Sequence, residues 1–255
     1  MTTLMISKQE QRILIALNAQ YSNKDSLASL VTMAKLLNAS LTGLFVEDSR
    51  LLEVANLPFT TEINRFSAEE RNLHADRLIR GTKKVALEIQ NLMMALSEEN
   101  KVSWAYSIET GELVSKALSY EGFDVFFPAR NKTTFQPPAN LKKPLIYQRV
   151  ILLYDASPQF DRAINLIKTL VGKHICYELT VLSETELPAD IRQALSTINH
   201  INFQCLSVGG PLLISSLNLP PATLVVSPKS KARDLSAEEL TDLMTKMACS
   251  LLLID

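Results

Sequence analysis

The residues best suited to chemistry lie in one short segment, Ser227-Pro228-Lys229-Ser230-Lys231-Ala232-Arg233. Its cations and hydroxyls follow the apolar run Thr223 to Val226. They precede Ser236-Ala237-Glu238-Glu239, a capping box that opens a helix. Hydroxyls and cationic side chains near a helix N-terminus suit an anion such as phosphate or carboxylate. Asp155 and Ser157 follow another apolar run, Val150 to Tyr154, and could stand opposite. The candidate ligand-binding set is therefore Asp155, Ser157, Lys229, Ser230, Lys231 and Arg233. A solvated loop with ordinary lysines explains the same charges, and is the simpler reading.

Other groups carry less. Glu47 and Asp48 close an apolar run and could bind a cation or act as acid and base, but an adjacent acidic pair is more often turn or capping chemistry. Lys142-Lys143 with Arg149 could meet a partner or simply solvate a linker. Cys176, Cys205 and Cys249 are far apart, each in an apolar strand-like run, which suggests reduced, buried thiols in a cytoplasmic protein. His74, His174 and His200 are remote from them, so no clustered metal ligands are expected. No Ser, Cys or Thr has a recognisable base and orienter, so an enzyme is not expected.

Composition narrows the partners. With 26 basic and 27 acidic residues the net charge is −1, which supplies no long-range field for nucleic acid or an anionic membrane. The N-terminus shows no basic region followed by an apolar one, and no run approaches the roughly 18 apolar residues of a membrane helix. A cytoplasmic location is expected.

These groups must be positioned by the elements around them. Ile13 to Leu17 is a nearly continuous apolar run, as in a strand buried on both faces of a parallel sheet. Leu27, Leu30, Val31, Ala34 and Leu37 form the stripe of the next helix, capped by Asn23 or Asp25. Leu41 to Val46 reads as a strand, and the segment through Leu57-Pro58-Phe59 as irregular. Ser67-Ala68-Glu69-Glu70 reads as a capping box opening a helix to about residue 98, about 45 Å long. Strands follow at Val102 to Ser107 and Asp124 to Phe127, with a short helix from Thr110-Gly111 through Leu118 between them. Asn131 to Asn140, with Pro137-Pro138, is a polar loop and the natural boundary.

The order then repeats. The second unit has a strand at Val150 to Tyr154, a helix capped by Ser157 with Pro158 first, and a strand at Ile175 to Leu182. A helix at about Ala189 to Thr197, a strand at Ile201 to Leu206 and a brief helix from Gly209-Gly210-Pro211 follow. Strands at Thr223 to Val226 and Cys249 to Ile254 flank the helix opened by Ser236. Alternating strands and helices, twice over, predict two tandem doubly wound parallel-sheet α/β domains of flavodoxin-like character, residues 1–146 and 147–255. The first has little room for a helix before a fifth strand and is expected to be less complete.

The tandem order resembles the universal stress protein family, in particular its two-domain bacterial members. The likeness rests on Arg12-Ile13-Leu14-Ile15-Ala16-Leu17, Gly43-Leu44-Phe45-Val46-Glu47-Asp48, Thr110-Gly111-Glu112-Leu113-Val114 and Phe123-Asp124-Val125-Phe126-Phe127-Pro128. In the second half it rests on Val150-Ile151-Leu152-Leu153-Tyr154-Asp155-Ala156-Ser157 and Cys249-Ser250-Leu251-Leu252-Leu253-Ile254. The resemblance implies a glycine-rich phosphate loop after strand four in ATP-binding members. Here that position holds Pro128-Ala129-Arg130-Asn131 in one half and Ser227-Pro228-Lys229-Ser230 in the other, both without glycine. Proline lacks the N–H that a phosphate cradle uses. The family's strand-one aspartate is matched by Asp155, while the first half has Asn18. ATP is therefore not expected as a cofactor.

The resemblance thus implies a non-enzymatic stress-response protein that binds a protein partner or a small ligand. The alternative is a nucleotide or other anion held by the second unit. Cys249 to Ile254 is apolar and reads as an exposed edge strand, with only Leu145-Ile146-Tyr147 in the first unit to pair with it. An uncovered edge and an overlong helix both predict a homodimer.

Overall fold

The structure, a computed structural model, describes residues 11–20, 24–63, 68–129, 147–205, 219, 222–246 and 249–255. The expected cap at Asn23, the loop at 131–140 and the helix at 209–211 lie outside them. So do Ser67, Leu145 and Ile146.

The chain begins with β1 (Arg12–Leu17), α1 (Lys24–Leu37) and β2 (Ser40–Asp48). It continues with α2 (Ser49–Ala55), β3 (Thr61–Ile63), β4 (Glu70–Asn72) and α3 (Ala75–Asn100). Then come β5 (Trp104–Gly111), α4 (Leu113–Leu118) and β6 (Asp124–Phe127). The second half holds β7 (Tyr147–Leu153), α5 (Pro158–Gly172), β8 (Cys176–Ser183), α6 (Ala189–Leu195) and β9 (Ile201–Cys205). It ends with β10 (Thr223–Pro228), α7 (Lys229–Arg233), α8 (Ala237–Lys246) and β11 (Ser250–Ile254).

Nine of these strands form one sheet in the order β5-β2-β1-β6-β11-β10-β7-β8-β9. Every neighbouring pair is parallel except β6 and β11, which run antiparallel with Phe126 opposite Leu252. From the outer edges inward, β5-β2-β1-β6 and β9-β8-β7-β10 follow the same pattern. β11 lies between the two sets as the fifth strand beside both. This corrects the expected edge strand: β11 is the middle of the sheet, and all five of its residues are buried.

The inner strands β1, β6, β10 and β11 are largely apolar because both of their faces are covered. Along β1, Ile13, Ile15 and Leu17 join a core with α1, α3, α5 and α6, while Leu14 and Ala16 join a second core with α4, α7 and α8. The same alternation divides Leu252 and Ile254 from Leu251 and Leu253 in β11. Period-two alternation between two helical layers is what a doubly wound α/β sheet requires.

The long helix is shorter than its sequence implies. Glu70 does not cap it but pairs in β4 opposite Ile63, and its Oε1 accepts from Thr61 Oγ1 at 2.8 Å. α3 starts after His74 and, at 26 residues, is about 39 Å long. The segment read as irregular, through Leu57-Pro58-Phe59, contains the helix α2, and the paired strands β3 and β4 follow it. Ser236 and Glu239 do form the predicted reciprocal cap, with Ser236 N–H donating to Glu239 Oε2 at 2.8 Å and Glu239 N–H to Ser236 Oγ at 3.2 Å. No helix among the described residues is long and apolar enough to cross a membrane.

Candidate functional site

In an open α/β sheet, ligands bind beyond the carboxyl ends of the strands where the strand order reverses. In the second half that point lies between β7 and β10. Asp155 follows β7, and Ser230 follows β10 at the start of α7. The structure brings them together: Ser230 Oγ donates to Asp155 Oδ2 at 3.0 Å. The other carboxylate oxygen accepts from Ser157 Oγ at 2.5 Å and Ser157 N–H at 3.1 Å. Ser157 stands at the N-cap position of α5, but its side chain caps no helix donor, because the hydroxyl is turned to Asp155. Lys231 flanks the cluster and pairs with Glu184 at 3.1 Å, and Arg233 is exposed two residues on.

Lys229 departs from its expected role. It is 1% exposed and reaches away from this cluster into the first half. Its ammonium donates to the Tyr120 carbonyl at 2.6 Å and the Phe123 carbonyl at 3.4 Å, and lies 3.4 Å from Asp255 Oδ1. Burial pushes its pKa down, with Asp255 acting in the opposite direction. A lysine stem can reach across the turn at the end of β10 because Pro228 ends the strand and α7 begins at once.

A second polar group completes this seam. Asp124, 1% exposed at the start of β6, accepts from Asp255 N–H at 3.0 Å, Gln11 Nε2 at 2.9 Å and Arg162 Nη2 at 3.3 Å. Burial raises the Asp124 pKa despite those donors. Arg162 also donates to the Asp255 carbonyl, and Gly122 N–H to Asp255 Oδ2 at 2.5 Å. Gly122 has φ +70, a backbone conformation that calls for glycine, and the Arg12 guanidinium packs close against it. The seam was not singled out from the sequence. A charged residue heading an otherwise apolar strand, as Asp124 does, was the available signal, since a buried charge needs partners.

The first half repeats part of the second-half arrangement. Asn18, in the place corresponding to Asp155, accepts from Gln20 N–H at 2.9 Å, the same turn that Asp155 makes with Ser157. Beside it lies a small cavity of about 40 Å³, lined by Asn18, Glu47, Asp48, Leu52, Leu78 and Thr82 among others. Asp48 is the N-cap of α2 and accepts from Arg50 N–H at 3.0 Å, which is capping chemistry.

Arg149 pairs with Glu178 across β7 and β8 at 2.9 Å. Cys176 and Cys249 are buried, whereas Cys205, at the end of the edge strand β9, is exposed, contrary to the sequence expectation. Burial pushes the Cys176 thiol up to about 11 and the Cys249 thiol to about 12, so neither is a thiolate at neutral pH. Among the described residues no three His, Cys, Asp or Glu side chains cluster as a metal site.

No family model matches the sequence, and no curated protein matches it. Among solved structures, a universal stress protein from Archaeoglobus fulgidus DSM 4304 is similar over 95% of this chain and 96% of its own, with a TM-score of 0.52 at 14% identity. A protein of the universal stress protein family from Burkholderia pseudomallei aligns over 77% of this chain and 96% of its own at 10% identity, but its TM-score of 0.24 is too low to bear on the fold. At such identity the first likeness is one of architecture, and the fold of this chain is similar to that of a universal stress protein.

Proposed function

We propose that this chain is a non-enzymatic, tandem universal-stress-like protein that acts in a stress response by binding, chiefly through a protein partner. The observation that carries the reading is the state of the second switch point. Asp155 is occupied by Ser157 and Ser230, and Pro228 leads directly into α7, where a glycine-rich phosphate loop would otherwise run. A carboxylate satisfied by two hydroxyls and an amide presents little free hydrogen-bonding capacity to a nucleotide. The raised thiol pKa values of Cys176 and Cys249 also speak against a nucleophile at either residue.

The second reading is an anion, nucleotide included, held by Ser230, Lys231 and Arg233, with Asp155 and Ser157 opposite. What favours it is the convergence of Asp155, Ser157 and Ser230 at the switch point. A single experiment separates the two. Purified protein is denatured and the supernatant analysed for released nucleotide, alongside thermal unfolding with millimolar ATP and magnesium. The first reading expects neither nucleotide nor shift. A ligand at 100 times its Kd stabilises a fold by about 2.7 kcal/mol, so real binding is easily seen and would put the second reading first.

A homodimer remains part of the proposal, but its contact cannot be β11. Leu87 and Met94 on α3, 56% and 42% exposed, are the helix positions left for it. Light scattering at micromolar concentration is the check, and a monomer there removes the dimer.

A further inference from the structure

Five large apolar side chains lie exposed within residues 51–63: Leu51 (41%), Val54 (45%), Leu57 (59%), Phe59 (98%) and Ile63 (69%). Single exposed apolar residues are ordinary, but a concentration of them within one short segment marks an interaction surface. The segment is built to hold its shape. Thr60 Oγ1 donates to the Val54 carbonyl at 3.0 Å and the Leu57 carbonyl at 3.1 Å, folding the turn back onto the end of α2. Leu73 N–H donates to the Thr60 carbonyl at 2.9 Å, tying the turn to the residue after β4. Phe59 sits in this turn at φ +65, a conformation that bulky residues avoid. A strained backbone that holds an aromatic ring in solvent points to function, since packing does not explain it.

The charge around this surface selects the occupant. Residues 47–77 carry seven acidic and four basic side chains, in a chain that is otherwise nearly balanced. Glu53 lies beside Val54, Glu62 beside Ile63, and Glu70 directly across from Ile63 in the hairpin. Glu62 is already paired with Arg77 at 3.4 Å. An acidic rim repels an anionic bilayer. A second copy docked face to face would set the same carboxylates against each other.

We propose that the α2–β3–β4 surface docks a partner protein through an amphipathic helix whose apolar stripe is edged by lysine or arginine. Such a helix places apolar anchors on Leu57 and Phe59 and its cations against Glu53 and Glu70. This gives the partner-binding role a surface remote from the Asp155 cluster, and it holds whether or not that cluster takes an anion.

The test uses the full chain and a synthetic helix with a leucine stripe edged by lysine, read by fluorescence anisotropy. A matched helix edged by glutamate, mixed phosphatidylcholine–phosphatidylserine vesicles and light scattering serve as the other arms. The expected result is binding of the lysine-edged helix alone, weakened about tenfold or more by Phe59→Ser and by Glu53→Lys. Both side chains are exposed, so the fold should survive, and unchanged circular dichroism verifies it. Leu57→Ser provides a second apolar variant. Equal binding of the two helices, or binding unchanged by Phe59→Ser and Leu57→Ser, overturns the proposal. So does vesicle binding or self-association that Phe59→Ser abolishes. The nucleotide-release experiment reads the other site, so the two can fail separately.

Discussion

The Lys229 ammonium rests on the Tyr120 carbonyl at 2.6 Å, joining the end of β10 to the turn before β6 in the other half of the chain. The side chain also faces Asp255 and the Phe123 carbonyl, and it is 1% exposed. Replacing it leaves two carbonyls and a carboxylate without their cation. Lys229→Ala is expected to cost about 2–4 kcal/mol, toward the lower end for a broken buried pair because Asp255 retains some access to water. Urea unfolding measures it. A change within about 0.5 kcal/mol, the range of a surface lysine, would show that the contact does not hold the halves together.

Glu112 links two helices of one layer. It caps α4 by accepting from Val114 N–H at 3.1 Å and Ser115 N–H at 2.7 Å, and it also accepts from Thr241 Oγ1 on α8 at 3.3 Å. Burial opposes its charge, but the donors at Ser115, Val114 and Thr241 outweigh it and hold the carboxyl below its ordinary value. With the folded value below the unfolded one, the contribution is complete above the unfolded pKa of about 4.3 and is lost as the pH falls through the folded value. Glu112→Ala is expected to cost about 1 kcal/mol at neutral pH. The gap between variant and parent should close on acidification. Denaturant unfolding at neutral and acidic pH gives both numbers, and a gap that widens in acid contradicts the assignment.

Leu252 is fully buried in the central strand, with Phe126 on one side and Val226 on the other. Leu252→Lys therefore buries an unpaired ammonium and should abolish cooperative folding rather than dissociate a dimer. Leu252→Ala, a milder change, is expected to cost about 2–5 kcal/mol. Near-ultraviolet circular dichroism and thermal melts distinguish the outcomes. A folded Leu252→Lys protein with altered size would place β11 at an edge after all.

Phe59 offers a change in the opposite direction. Its left-handed backbone costs about 1–3 kcal/mol, and the exposed ring buries almost nothing in return. Glycine adopts that conformation freely but loses about 0.5–1 kcal/mol in unfolded-state entropy. Phe59→Gly should raise stability by about 1 kcal/mol. A loss of stability in thermal unfolding would mean that the ring packs against the chain.

Local and periodic features of this protein are legible in the sequence. β1 and β6 appear as continuous apolar runs because parallel strands between two helical layers need apolar side chains on both faces. The Ser236–Glu239 cap is legible because its hydrogen bonds join residues three apart. Asp48 as a helix cap follows the same logic. What the tertiary structure decided is pairing at long range. Glu70 reads as a cap, yet it pairs opposite Ile63 in β4 and the helix begins only after His74, because the strand partner is set by the tertiary pairing and not by the local pattern. Cys249 to Ile254 reads correctly as a strand, but apolar composition is equally consistent with an edge or a centre. Only the burial gained by placing β11 between β6 and β10 selects the centre. Lys229 looks like a loop cation for the same reason: its partners at Tyr120, Phe123 and Asp255 are distant in sequence, and no local pattern encodes a charge whose shell is assembled by the fold.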